Sequence, residues 1–432
     1  MRKIAVTALM ACSFSLPSLL AQQADNANQT QLIDATQRGY EQLVGSLIDE
    51  GIDVNETRAD GSTPILWASL RNDLAIVTIL LQSGADPNIP DENGETPLLA
   101  ASSNGNVSIA QMLLDAGASV EAARWSGDTP LMAAALSGSI DIVRLLLDHD
   151  ATVNTAEARM GQTPLMWAIA TGHPAIARLL VEAGADVNAQ SYRGFRPILF
   201  AAEHTDPSSA ELLLAAGAEP HVVASDGNTA FMIALARGSE AVTRLLLDKG
   251  ADVNARDRTG ASPLHEVARQ GNSALARELV ARGADLQART ARNDGWNAAG
   301  IRSTSGLTPF LIAAQSGDTA MMETLVTVGA DPTTETFEGA GGVLLATRSR
   351  NQEAVHFAVE LGLDVNQHPV GTPSALHDAI RVGDDAIVEY LAAHGADFEA
   401  RDQHGRTPLE EAEFEAPTHT IELVRRLTAE RQ

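Results

Sequence analysis

Among 432 residues there is a single cysteine, Cys12, which closes off a disulfide scaffold and any cysteine-based zinc site. Aromatic side chains make up 4% of the chain, too few for a sandwich or barrel built on large core residues. Positive charge is also scarce: 30 basic against 56 acidic side chains give a net charge of −26, which argues against nucleic acid or an anionic membrane as partner. After residue 21 no stretch approaches the roughly 18 uninterrupted apolar residues of a spanning helix. What remains is 44% hydrophobic and 20% charged, the composition of a globular chain and not of chain-long disorder. At about 150 residues per domain, length alone suggests two or three domains, an expectation that internal periodicity replaces.

The first residues, Met1-Arg2-Lys3, are positive, and Ile4 to Leu20 is apolar but broken by Pro17. Leu19-Leu20-Ala21 then precedes Gln22 and Gln23. This is the anatomy of a secretory signal peptide, with removal of 1–21 expected. The rival is a lipoprotein anchored at Cys12, since Leu9-Met10-Ala11-Cys12 loosely matches a lipobox, although the apolar stretch runs on past the cysteine. Cleavage near Ala21 leaves 28 basic residues, a charge of −28 and no cysteine. Such a chain suits an oxidising compartment, periplasmic or secreted. Residues 22–29 read as a short disordered lead-in.

The rest of the chain repeats. Thr63-Pro64-Ile65, Thr96-Pro97-Leu98, Thr129-Pro130-Leu131 and Thr163-Pro164-Leu165 recur at 33, 33 and 34 residues. The register continues through Arg196-Pro197, Thr229-Ala230, Ser262-Pro263-Leu264-His265, Thr308-Pro309 and Thr407-Pro408-Leu409, with degenerate copies at Thr30, Gly341 and Ser374. Ser262 to Thr308 spans 46 residues, an insertion of 13. Thr is suited to cap a first helix, and Pro after it gives up no needed N–H. Glycine nine residues after the Thr, as at Gly105 and Gly138, marks the end of that helix. Apolar pairs such as Ile76-Val77 and Leu80-Leu81 predict a second helix. Ten copies end it with glycine; Asp150 is the exception, where a strained or frayed turn is expected.

The 33-residue period with Thr-Pro-Leu-His, Ile142-Val143-x-x-Leu146-Leu147 and Gly250-Ala251-Asp252-Val253-Asn254 resembles an ankyrin-repeat array, in particular the exported, periplasmic ankyrin proteins of bacteria. The resemblance implies an all-α solenoid of stacked helix–turn–helix units with β-turn fingers, about twelve copies in all. Repeats 1–8 occupy 30–289, a finger insertion 290–304, and repeats 9–12 with a C-terminal cap 305–432. The copy near Gly341, without Thr-Pro, is expected to be the weakest joint.

No catalytic constellation stands out. His265-Glu266 lacks the second histidine of a metalloprotease helix, and no nucleophile elbow or phosphate loop appears. His265 and His377 hold the family's framework position, which implies hydrogen bonds between neighbouring repeats. The chain is therefore expected to be non-catalytic, with no cofactor or metal, and to be a monomer that binds a protein partner.

The resemblance implies partner contact through finger tips and the exposed face of the first helices. Tip residues read off the register are Trp125, Arg159, Met160, Tyr192, Arg193, Phe195, Arg258 and Phe337; Trp296 joins them from the insertion. Rigid aromatics beside Arg and Met are the material of interface hot spots. Trp67, Trp167, Phe200, Ile233 and Ile312 are expected to pack between helices. Arg38, Arg71, Arg237, Arg269, Arg348 and Arg381 are expected to be solvated. The function expected is a protein-interaction scaffold. An inhibitor or immunity protein against a basic secreted toxin, or an exported effector, is the alternative.

Overall fold

A computed structural model describes residues 31–292 and 305–431. The leader, Cys12, the lead-in and most of the insertion, Trp296 included, lie outside the described residues.

Within the described residues the chain forms twelve helix pairs, beginning with 31–38 and Glu41–Asp49 and ending with Pro408–Glu415 and Thr418–Ala429. In each pair we call the first helix inner and the second outer. Inner helices start where the sequence places a hydroxyl. Thr63, Thr96, Thr129, Thr163, Thr229 and Thr308 accept the backbone N–H three residues on at 3.2–3.4 Å, satisfying a donor the helix itself leaves orphaned. Outer helices are capped by Asp73, Asn106, Asp206, Asn272, Asp318, Asn351 and Asp384.

Contacts divide the chain into two compact units, Met1–Ala218 and Glu219–Gln432. In both, small residues let inner helices approach closely: Ala134, Ala135, Ala201, Ala202, Ala313 and Ala314 are fully buried. Outer-helix pairs such as Ile76 and Val77, or Val242 and Leu246, close the core behind them. A single helix pair cannot bury its apolar face alone, and within each unit the stacking of pairs supplies the cover.

The helix ends carry a finding the glycine pattern only half discloses. Gly39, Gly105, Gly138, Gly172, Gly238, Gly271, Gly317 and Gly383 all have positive φ, as expected. Three copies that lack glycine at that position take the same turn regardless, at Asn72 (+62°), Thr205 (+53°) and Arg350 (+63°), whereas Ala416 of the last copy is extended at φ −79°. Asp150 likewise sits at +62° at the end of its outer helix. It is strained and not frayed, because Asp150 N–H still reaches Leu147 O at 3.1 Å and Ala151 N–H reaches Leu146 O at 3.0 Å.

The Gly341 copy lacks a capping side chain, yet Val343, Leu344, Leu345 and Ala346 are buried. Gly342 is close-packed: a Cβ there would lie 2.8 Å from Leu363 Cδ1 and 3.2 Å from the Phe310 ring.

The asparagine four residues after the position that ends the outer helix is a rivet. Asn88 Nδ2 donates to Gly117 O (3.0 Å) while its Oδ1 accepts the Ser119 N–H (2.7 Å). Asn55 and Asn154 repeat this in the first unit, Asn254 and Asn366 in the second. His221 occupies the same register position and makes no such pair of bonds. Between His221, Val223, Asp252 and Arg256 lies a cleft of about 480 Å³.

Candidate binding surface

Several fingers are tight turns organised by one carboxylate, while Ser191 and Thr336 hold theirs through a hydroxyl that accepts the N–H four residues on. Asp91 accepts N–H groups of Asn93 and Glu95 at 2.8 Å, and Gly94, at φ +80°, closes the turn. Asp257 and Asp402 do the same two and four residues on. The copy of 34 residues carries Glu157 instead, fully buried and accepting from Arg159, Met160 and Gln162 at 2.6–3.0 Å. Burial alone would raise its pKa; the N–H donors of Gln162, Met160 and Arg159 outweigh that and hold it below the ordinary value. The longer carboxylate spans the extra residue of that finger.

Fingers are joined tip to tip by backbone bonds. Trp125 N–H donates to Asn93 O (3.0 Å), Ala158 to Ser126 O (2.8 Å) and Tyr192 to Met160 O (2.8 Å). Trp125, Ala158 and Tyr192 therefore occupy one position on three consecutive fingers of the first unit. Trp125 is 77% and Tyr192 70% exposed. Neither ring is loose. The Trp125 indole N–H donates to Glu92 O on the preceding finger, and the Tyr192 ring lies against Gly161, where a Cβ would come within 2.8 Å of its Cδ1. Each ring rests on its neighbour and leaves its remaining surface to solvent.

The other predicted tips divide. Arg159 and Arg193 are exposed beside this row, and Met160 is half-buried in it. Phe195 does not join them: it is half-buried against Phe200, ring centroids 5.6 Å apart, and belongs to its own repeat's packing. Arg258 lies in the second unit, exposed, its guanidinium donating to Ser225 O. Phe337, in the same unit, is 40% exposed and sits on Gly306 as Tyr192 sits on Gly161.

Two positioning residues went unread in the sequence. Arg124 pairs with Glu95 of the preceding finger and with Asp128, fixing the backbone that presents Trp125. The Glu95 hydrogen bond raises its pKa against the opposing effect of burial, so the guanidinium is firmly charged. Glu157 does the corresponding work for Arg159 and Met160, and its signal was available as the Glu of the turn in the copy of 34 residues.

The remaining candidates fall into the framework. Ile233 and Ile312 are buried, while Trp67, Trp167 and Phe200 are half-buried between inner helices. Of the six arginines expected to be solvated, Arg348 and Arg381 instead clamp Asp378, whose side chain is 3% exposed, and Arg269 pairs with Glu266. The buried Asp378 carboxylate recruits the first two, because an unpaired charge there would be costly. His265 is fully buried, its Nδ1 taking the Ser262 N–H (3.0 Å) and its Nε2 meeting Leu307 O of the next repeat (2.9 Å). His377 bonds to Ser374 and Arg406 O in the same way.

With the paired helices, capped starts and finger turns in place, the family model described as ankyrin repeats (3 copies) matches residues 32–124, 120–191, 198–290 and 310–402. The chain belongs to the ankyrin-repeat family. No curated protein matches it. Ankyrin repeats are protein-binding platforms, and the fold of this chain is that of such a module. Among its described residues, no group of three or more His, Cys, Asp or Glu is placed to hold a metal ion, and no helix is long and apolar enough to cross a membrane.

Proposed function

We propose that this ankyrin protein is an exported, non-catalytic scaffold that holds one protein partner on its finger row, acting as a monomer. The observation that carries the reading is the pair Trp125 and Tyr192, two largely exposed aromatics held by contacts to the preceding finger. Ordering a side chain on binding costs free energy, and these two are already ordered. Arg159, Met160 and Arg193 border them, supplying the residue types enriched in hot spots. Export is supported by the charged-then-apolar leader ending at Ala21.

The test is capture. Residues 22–432 are immobilised, envelope extract of the source organism is passed over them, and the captured protein is measured against Trp125→Ala and Tyr192→Ala. Each change is expected to weaken binding by about 2 kcal/mol. A protein retained equally by wild type and the double variant would remove the finger row from the account. The net charge of −26 favours a second reading, an inhibitor of a basic protein. That reading requires most of the on-rate to vanish between low and physiological salt, with the aromatic changes mattering little.

A further inference from the structure

The second unit holds a local reversal of charge. Residues 256–292 carry seven arginines against four acidic residues in a chain of net charge −26. Arg269 and Arg282 are ion-paired on their own helices, and Arg277 bonds to Thr324. The other four, Arg256, Arg258, Arg289 and Arg292, stand on consecutive fingers. Arg256 is a buttress, donating to Gly260 O and Arg289 O and pairing with Asp285 at 3.4 Å.

Arg289 and Arg292 differ from every arginine described above. Their guanidinium carbons lie 5.3 and 5.4 Å from the centroid of one ring, Phe337, and among the described residues no carboxylate pairs with either. The nearby acids are engaged elsewhere. Glu338 accepts from Ser305, Glu335 from Gln367, and Asp257 from the N–H groups of its own turn. The backbone beneath is fixed: Ala291 N–H bonds to Thr259 O, Thr290 N–H to Leu307 O (3.0 Å), and Phe337 N–H to Ser305 O (3.0 Å). Two like charges held over one ring repel each other, and the ring's quadrupole offsets that only in part. A carboxylate between them removes the repulsion and offers the planar acceptor a guanidinium fork matches.

We propose that Arg289, Arg292 and Arg258, ordered by Phe337 and Arg256, form a docking site for a carboxylate-rich segment of a protein partner. This deepens the finger-row reading and rests on it, adding the chemistry of one partner segment to the aromatic anchors of the first unit. The chain's overall negative charge rejects acidic proteins that cannot reach this patch.

The experiment uses the full mature chain and a fluorescein-labelled hexaglutamate peptide, with binding followed by anisotropy at low salt. Arg289→Gln/Arg292→Gln is expected to weaken binding about tenfold, as two lost ion pairs would. Phe337→Leu, which keeps both charges but removes the ring, is expected to weaken it less. Trp125→Ala/Tyr192→Ala is expected to leave it unchanged, so this site and the aromatic row fail or survive separately. A cooperative thermal melt of the arginine variant, followed by helical circular dichroism, shows that the variant is folded. No binding of hexaglutamate by wild type, equal binding by the arginine variant, or tighter binding of an oligothymidine of the same length would overturn the proposal.

Discussion

Four residues carry a backbone geometry their side chains resist. Thr205 is the most costly, because a β-branched residue at φ +53° crowds its own carbonyl, whereas Asp150 at +62° is a better-tolerated type. Both are exposed and both keep the hydrogen bonds of their turns. Thr205→Gly is therefore expected to raise stability by about 1 kcal/mol, and Asp150→Gly by about half that, once the extra freedom glycine gains in the unfolded chain is deducted. Urea titration of the three proteins checks this; a loss of stability in Thr205→Gly would mean the threonine makes a contact that outweighs its strain. The framework histidines give a second expectation. Burial is the main cause holding His265 below 6.5, with Arg256 and Arg269 adding to it and the Leu307 carbonyl and Asp257 opposing. Burial likewise depresses His377, against Arg406 O, Asp402 and Asp378, with His368 adding to the depression. The unfolded chain then binds more protons than the folded one below about pH 6.5, so these residues' contribution is present above that pH and is lost as pH falls toward their folded values. Melting temperatures near pH 7.5 and 5.5 should fall more steeply for wild type than for His265→Gln/His377→Gln. Parallel slopes would show that the two histidines bind protons alike in the folded and the unfolded chain.

Where one repeat meets the next, the asparagine rivet sets the spacing of the loops, and the second unit lacks it at His221. An imidazole cannot offer a donor and an acceptor at the separation of a carbonyl and an N–H two residues apart; the carboxamide can. His221→Asn is expected to add bonds to Gly250 O and the Asp252 N–H, raising stability by about 1 kcal/mol, and Asn254→Ala to lower it by a similar amount. Thermal melts of both decide it, and an unchanged His221→Asn would mean water already serves those groups. The contrast shows what a sequence discloses. Helices, caps and turns were legible because each is decided within a few residues and the copies share one register. Asn254 was visible as part of a motif, but its partner lies 29 residues on and becomes visible only once the repeats are stacked. The exposure of Trp125 and Tyr192 followed from register. That each ring leans back on the preceding finger did not, since the register fixes a Cα position and leaves the rotamer to neighbouring repeats. Phe195 shows the same limit from the other side: its place near the tip was correct, and its side chain turned inward to Phe200.

Across the chain the dominant electrostatic fact is a net charge of −26. Two kinds of interaction respond differently to salt. Repulsion among exposed carboxylates acts over distances comparable to the Debye length of about 8 Å at physiological ionic strength, and is largely screened there. The clamp of Arg348 and Arg381 on Asp378 and the pair of Arg406 with Asp402 (3.0 Å), whose carboxylates are 3% and 2% exposed, act across contact distance with little water between, and salt weakens them little. The exposed pairs, such as Arg144 with Asp141, contribute little at any ionic strength. The melting temperature should therefore rise from low to physiological sodium chloride, since the term that salt removes is mostly unfavourable. Equal or lower stability in salt would mean that attractive surface pairs outweigh the repulsion. The same titration bears on binding. A partner held by Trp125 and Tyr192 should be retained as salt rises, because burial of apolar area is not screened. A partner drawn by net charge alone should be released over the range that stabilises the fold, so following melting and binding in one salt series separates the charge that limits stability from the surface that makes contact.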